Sequence, residues 1–176
     1  MENGLVISLR FGQGCTIGNL RIEPIEPIAG FKTSEEGSIE EFYLPVLSHS
    51  QSIPFNTDSE WFVFKPSFTS RNCTLALVNS EWFSQSTEAD NFPPGMRMEF
   101  TERVKTLEWA GVDYQWLGNG IDIQIGEEIH TILEGDEIEF PVDGLQIKMQ
   151  LDNLKGRSGA QLRFFKPFNV RLQRDI

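Results

Sequence analysis

An all-β fold is what the sequence predicts: one domain over residues 1–176, an antiparallel β-sandwich or flattened barrel of roughly nine to eleven strands, with at most one or two short helices. Three observations lead there. Apolar residues alternate with polar ones at a period of two, as a half-buried strand requires, because successive side chains point to opposite faces of a sheet. The apolar runs are short and rich in aromatic and β-branched residues, which fit a pleated surface. Glycine, asparagine, aspartate and proline interrupt them at about ten-residue spacing, too close for crossover helices. A chain of 176 residues can also bury about 70% of its unfolded surface, so it needs no disulfide or metal to fold.

In order along the chain, Leu5 to Phe11 is the first strand. Gly12 to Gly18 follows it as a phosphate loop would, but Asn19-Leu20-Arg21-Ile22-Glu23-Pro24 continues as extended chain, so no helix N-terminus is there to meet an anion. The segment is a glycine-rich hairpin connection. Phe42 to Leu47, Trp61 to Phe64 and Thr74 to Val78 are further strands, and the polar stretches 48–60 and 84–95 are solvent loops. Ser59-Glu60-Trp61-Phe62 recurs as Ser80-Glu81-Trp82-Phe83, but two short matches fall short of the three units a solenoid needs.

Residues 101–110 satisfy two templates. Phe100, Val104 and Leu107 stand at i, i+4 and i+7, with Thr101 placed to cap and Gly111 to stop a short helix. Met96, Met98 and Phe100 alternate as a strand, which Val104 to Trp109 would extend. The helical template is the one preferred.

The second half is plainer. Tyr114 to Leu117, Ile121 to Ile125, Ile129 to Leu133, Ile138 to Phe140 and Leu145 to Leu151 are strands. Gly118-Asn119-Gly120, Gly135-Asp136 and Asp143-Gly144 are the turns between them, since such dipeptides supply the positive φ of tight hairpins. Leu162 with Phe164 and Val170 with Leu172 mark two closing strands, broken at Lys166-Pro167 because proline cannot donate to the ladder.

Few residues carry chemistry. Cys15 and Cys73 are 58 positions apart and belong to no Cys/His cluster, so reduced, buried thiols are expected and neither a metal nor a cofactor. Ser158 lacks the glycine spacing of a nucleophile elbow, and only His49 and His130 exist to activate any nucleophile. Among 26 acids, the pairs Glu40-Glu41, Glu127-Glu128 and Asp136-Glu137 are solvated charge. The chain is not expected to be an enzyme.

Asn119-Gly120 with Glu127, followed by Leu133 to Ile138, resembles the last third of a forkhead-associated domain, a β-sandwich that binds phosphothreonine through its loops. That family also places a Gly-Arg after an early strand and a Ser-x-x-His ahead of the Asn-Gly. Here the Gly-Arg is Gly156-Arg157, downstream, and no Ser-x-x-His occurs, so phosphothreonine binding is not carried over.

Charge is unevenly distributed. Met1 to Gly144 holds 8 Lys and Arg against 24 Asp and Glu, a net of −16, while Leu145 to Ile176 holds 7 against 2, a net of +5, giving −11 for the chain. The basic segment interleaves arginine with phenylalanine. Its Arg157, Arg163, Phe165, Lys166, Phe168, Arg171 and Arg174 are the expected binding residues, because arginine and aromatics are favoured at interfaces. The plainer reading has these arginines neutralising acidic neighbours across the sheet.

The function expected is a non-catalytic protein-interaction or assembly subunit of a larger complex, docking through this C-terminal hairpin onto a protein partner or a second copy. One alternative is a subunit that contacts RNA or DNA inside a nucleoprotein complex, disfavoured because the acidic remainder repels a polyanion. Another is a carbohydrate-binding module stacking sugars on Trp61, Trp82, Trp109 or Trp116. The first residues lack a signal-peptide pattern, and no run reaches the ~20 apolar residues of a membrane helix. A cytoplasmic protein with no membrane contact is expected.

Overall fold

A computed structural model of the chain describes residues 4–35, 37–45, 50–52, 61–64, 67–69, 71–79, 97–109, 112–155, 158–165 and 172–174. Every regular element among them is a β-strand. In chain order these are β1 (Gly4–Arg10), β2 (Cys15–Ile17), β3 (Leu20–Glu35), β4 (Ser38–Pro45), β5 (Ser50–Ser52), β6 (Trp61–Phe64), β7 (Ser67–Thr69) and β8 (Asn72–Asn79). There follow β9 (Arg97–Thr101), β10 (Thr106–Trp109), β11 (Val112–Ile125), β12 (Glu128–Leu133), β13 (Glu137–Val142), β14 (Leu145–Lys155), β15 (Gly159–Phe165) and β16 (Leu172–Arg174). The fold is therefore all-β, with antiparallel pairing in every register resolved. Sixteen segments among the described residues exceed the nine to eleven expected. Triplets such as Ser50–Ser52 and Ser67–Thr69 carry no alternation to betray them and are strands because a neighbour offers a ladder.

The chain divides into two compact units, Met1–Pro27 with Gly120–Ile176, and Ile28–Asn119. The long strands β3 and β11 contribute residues to both.

In the first unit, β1-β15-β14-β13 form a four-stranded sheet. Ile147, Met149 and Leu151 of β14 lie on one face with Leu162 and Phe164 of β15, all buried, and each such side chain contributes roughly 1.5–3 kcal/mol. Between β13 and β14, Val142 pairs with Leu145 and Asp143-Gly144 turns with φ of 50° and 80°, the two-residue type I′ geometry expected of that dipeptide. The same unit holds β12, β11, β3, β2 and β16 as successive neighbours. Ile121, Ile123 and Ile125 of β11 point inward, as their alternation predicts. The glycine-rich Gly12 to Gly18 is not a single connection, because it holds the short strand β2, paired to β3 and β16, between turns at Gly12 and Gly18; β3 then runs extended through Pro24 and Pro27 as expected.

In the second unit, β4 pairs with β3 from Ile28↔Pro45 to Glu35↔Ser38, and β10 pairs with β11. β8 carries β6, β7 and β9. The core is aromatic: Phe31 stacks on Phe42 at 5.6 Å and meets Phe100 edge-on at 5.4 Å, arrangements suited to the ring quadrupole.

Three further expectations about local structure are corrected. Residues 101–109 form no helix, and Ala110 lies outside the described residues. Thr101 Oγ1 accepts the N–H groups of Arg103 and Val104 at 3.2 and 3.0 Å, as a helix cap would. The Thr101 N–H then donates to the Val104 carbonyl, and the Trp116 N–H to that of Lys105, so the chain reverses into a ladder with β11. Val104, the middle of the expected helical stripe, is 44% exposed while Phe100 is fully buried, so the three residues do not share one covered face and no amphipathic helix is stabilised by packing.

Gly118-Asn119-Gly120 is not a hairpin turn but the middle of β11. Gly118 takes a φ of 120°, and a Cβ on Gly120 would overlap the Ile132 carbonyl oxygen of β12. Glycine here permits close backbone approach rather than reversal. The Gly135 turn exists, but it links β12 to β13, which pair with β11 and β14 respectively, so it is not a hairpin either.

Candidate functional site

Arg163 lies on β15, which is hydrogen-bonded on both sides, to β1 and to β14. The basic segment therefore does not begin as a sheet edge. Its guanidinium donates from Nε to Asp152 Oδ1 at 3.2 Å and from a terminal nitrogen to Oδ2 at 3.1 Å, with both side chains about three-quarters buried. Asp152 sits where the β14 register shifts between Leu151 and Asn153, a bulge of the kind that re-aims a side chain. A Cβ on Gly4 would stand 2.7 Å from Arg163 Cγ, so glycine at that position leaves room for the arginine stem. This is the pairing of arginine with an acidic neighbour that the plainer reading describes.

Phe165 ends β15, with Lys148 Nζ 5.6 Å from its ring centre, a cation–π pair. The same ammonium is 3.1 Å from Glu137 Oε2. Arg157, Lys166, Phe168 and Arg171 lie outside the described residues, as does the side chain of Arg174, whose backbone pairs with Cys15. The polar stretches 48–60 and 84–95 lie almost wholly outside them too.

A groove of about 480 Å³ lies elsewhere in the first unit, between β12 and β13. The hairpin that forms one wall turns at Gly126-Glu127, where Ile125 pairs with Glu128 and Gly126 adopts a φ of 63°. The Gly126 N–H donates to the Arg21 carbonyl at 2.8 Å, tying the turn to β3. Ile125 and Phe140 are buried in the lining, with Leu20 and Ile138 half-buried beside them. Glu127, Glu128 and Glu139 are exposed and give the rim negative charge. His130 Nε2 stands 3.3 Å from Glu128 Oε2, an ion pair when the imidazole is protonated. Pro141 and Glu139 belong to the outer strand of the four-stranded sheet, where proline and charge discourage indiscriminate pairing.

Sequence reasoning missed this groove. It took Glu127-Glu128 as solvated charge and gave His130 no binding role. The signal available was Gly126-Glu127 between two alternating runs, a two-residue hairpin. No pattern revealed that the next strand would leave the hairpin for another sheet.

In the second unit a smaller recess of about 300 Å³ is lined by Lys32, Thr33, Ser34, Ile39, Thr106, Asp113 and Gln115. Trp116 is 5% exposed, and its indole N–H donates to Asn119 Oδ1 at 3.1 Å. That tryptophan is core, not a sugar platform, and Asn119 sits in a strand rather than a binding loop. Cys15 and Cys73 are both buried thiols, and burial pushes the Cys73 thiol up to about 12. Among the described residues no three His, Cys, Asp or Glu side chains are grouped to hold a metal ion, and no helix is long and apolar enough to cross a membrane. Comparison with protein-family models, curated proteins and solved structures gives no match.

Proposed function

We propose that this protein is a non-catalytic interaction or assembly subunit, and that the groove between β12 and β13 is a surface through which it meets a protein partner. The observation that carries this reading is the combination of buried Ile125 and Phe140 in the lining with exposed Glu127, Glu128 and Glu139 around it. Apolar area supplies affinity, while rim charge selects the partner and speeds encounter. Such a rim repels nucleic-acid phosphates and attracts lysine and arginine. The C-terminal basic segment is the second candidate surface of the same subunit. Its case rests on Lys166, Phe168, Arg171 and Arg174, since Arg163 is engaged by Asp152.

Affinity purification of the tagged chain from its native source tests both surfaces, with mass spectrometry of the recovered proteins after nuclease treatment. Glu127→Lys with Glu139→Lys is expected to lose the partner, and Lys166→Glu with Arg171→Glu serves as the parallel arm. Recovery of the same partner with every variant, or of none with the unaltered chain, would overturn the reading.

A further inference from the structure

β12 has an open flank. Among the described residues β11 is its one strand partner, in a register running from Gly120↔Leu133 to Ile125↔Glu128. In a two-residue hairpin the pair next to the turn is hydrogen-bonded and the bonded pairs then alternate. Glu128, His130 and Ile132 therefore direct their N–H and C=O groups at β11, and Ile129 and Thr131 direct theirs away from it. The Leu133 N–H, next in that outward series, donates to Asp136 Oδ2 at 2.9 Å, and its carbonyl accepts the Asp136 N–H at 2.9 Å. The turn thus caps one end of the edge and leaves the Ile129–Thr131 stretch for another donor and acceptor.

Edge strands are ordinarily guarded by lysine, proline, a bulge or a covering loop. β13 follows that rule with Glu137, Glu139 and Pro141. β12 has no proline, lysine or bulge along its register; the charge it carries, Glu128, disfavours acidic strands and leaves basic ones admissible, and the strand exposes 64% of Ile129. The side chains flanking it are acidic on both faces. Glu128 belongs to the groove wall, with Glu127 and Glu139 around it, while on the opposite face Thr131 Oγ1 donates to Asp122 Oδ1 at 2.6 Å.

We infer that the β12 edge takes an added strand, an extended segment of a partner protein that alternates basic with aliphatic residues. This rests on the interaction reading above. Main-chain bonds to Ile129 and Thr131 hold the segment, its aliphatic face covers Ile129, and its lysines or arginines lay their stems along the groove to reach the glutamates.

The test uses the full chain and a blocked six-residue peptide alternating lysine with valine, matched in length to β12. An otherwise identical peptide with glutamate for lysine is the control. Expected results are binding of the lysine peptide alone, slowed hydrogen exchange at the Ile129 and Thr131 amides, and roughly tenfold weaker binding when alternate peptide amides are N-methylated. Ile129→Pro, which removes an outward N–H and no intramolecular bond, is expected to abolish binding. If that variant fails to fold, the exchange and N-methylation measurements decide. Binding indifferent to N-methylation and without amide protection overturns strand addition and leaves the interaction reading standing. No binding of the lysine peptide overturns strand addition, and the purification with Glu127→Lys and Glu139→Lys then judges the interaction reading separately. Self-association of the chain that competes with the peptide would make a second copy the occupant and overturn the assignment to a partner protein.

Discussion

Asn119 is a buried polar residue whose side chain joins two strands of the second unit. Its Oδ1 accepts from the Trp116 indole and its Nδ2 donates to the Asn72 carbonyl, each at 3.1 Å. Asn119→Ala removes both bonds, and a buried group deprived of its partner costs about 1–3 kcal/mol. A fall of that size in urea-denaturation stability is expected; an unchanged midpoint would show the clamp to be dispensable. Glu26 behaves oppositely. Burial first, then the Asp122 charge, hold its carboxyl above the ordinary range. The folded state thus binds its proton more tightly than the unfolded state, so stability falls as pH rises through the carboxylate range and stays lower above it. Glu26→Gln removes that penalty. Thermal melts are expected to find the variant more stable than the parent at pH 7, the difference vanishing below about pH 4. A variant less stable at neutral pH would contradict this.

At the level of elements, the pairing of β11 with β12 depends on the absence of one methyl group. A side chain on Gly120 runs into the Ile132 carbonyl and the Leu133 Cα, both main-chain atoms of the ladder partner. Neither can move aside without breaking the register. Gly120→Ala is expected to cost about 1–3 kcal/mol, the usual range for overpacking, and to accelerate amide exchange along β12 before the rest of the chain unfolds. Wild-type exchange at Ile123 and Ile132 in that variant would refute the argument. The β9 to β10 connection is a different case: Thr101 performs a capping role, yet the residues that follow pair with β11 instead of forming a helix. A capping signal specifies where N–H groups find an acceptor, and it leaves the conformation of the next residues to their tertiary partners.

For the whole molecule the governing quantity is charge. A net of −11 at neutral pH sets up repulsion between copies that disappears near the isoelectric point of about 4.6. Light scattering across pH is expected to show least solubility around that value. A minimum displaced well above it would mean that exposed apolar residues such as Ile39 and Ile129, rather than charge, control association.

The all-β class, the inward faces of β11, β14 and β15, the Asp143-Gly144 hairpin and the extended run from Leu20 through Pro24 are legible in the sequence alone. Each arises from a period of two or from the φ demands of a dipeptide, which are local properties. The sequence also carried the uneven charge, although not the engagement of Arg163 by Asp152, which a bulge in β14 creates. Tertiary pairing settles that Gly118-Asn119-Gly120 stays within a strand, that 101–109 reverses without a helix, and that β12 and β13 join different sheets with a groove between them. In each case the outcome depends on which distant strand supplies the hydrogen-bond partners. Pairing energies between segments far apart in sequence outweigh the roughly 1 kcal/mol preferences of single residues, and no local pattern encodes them.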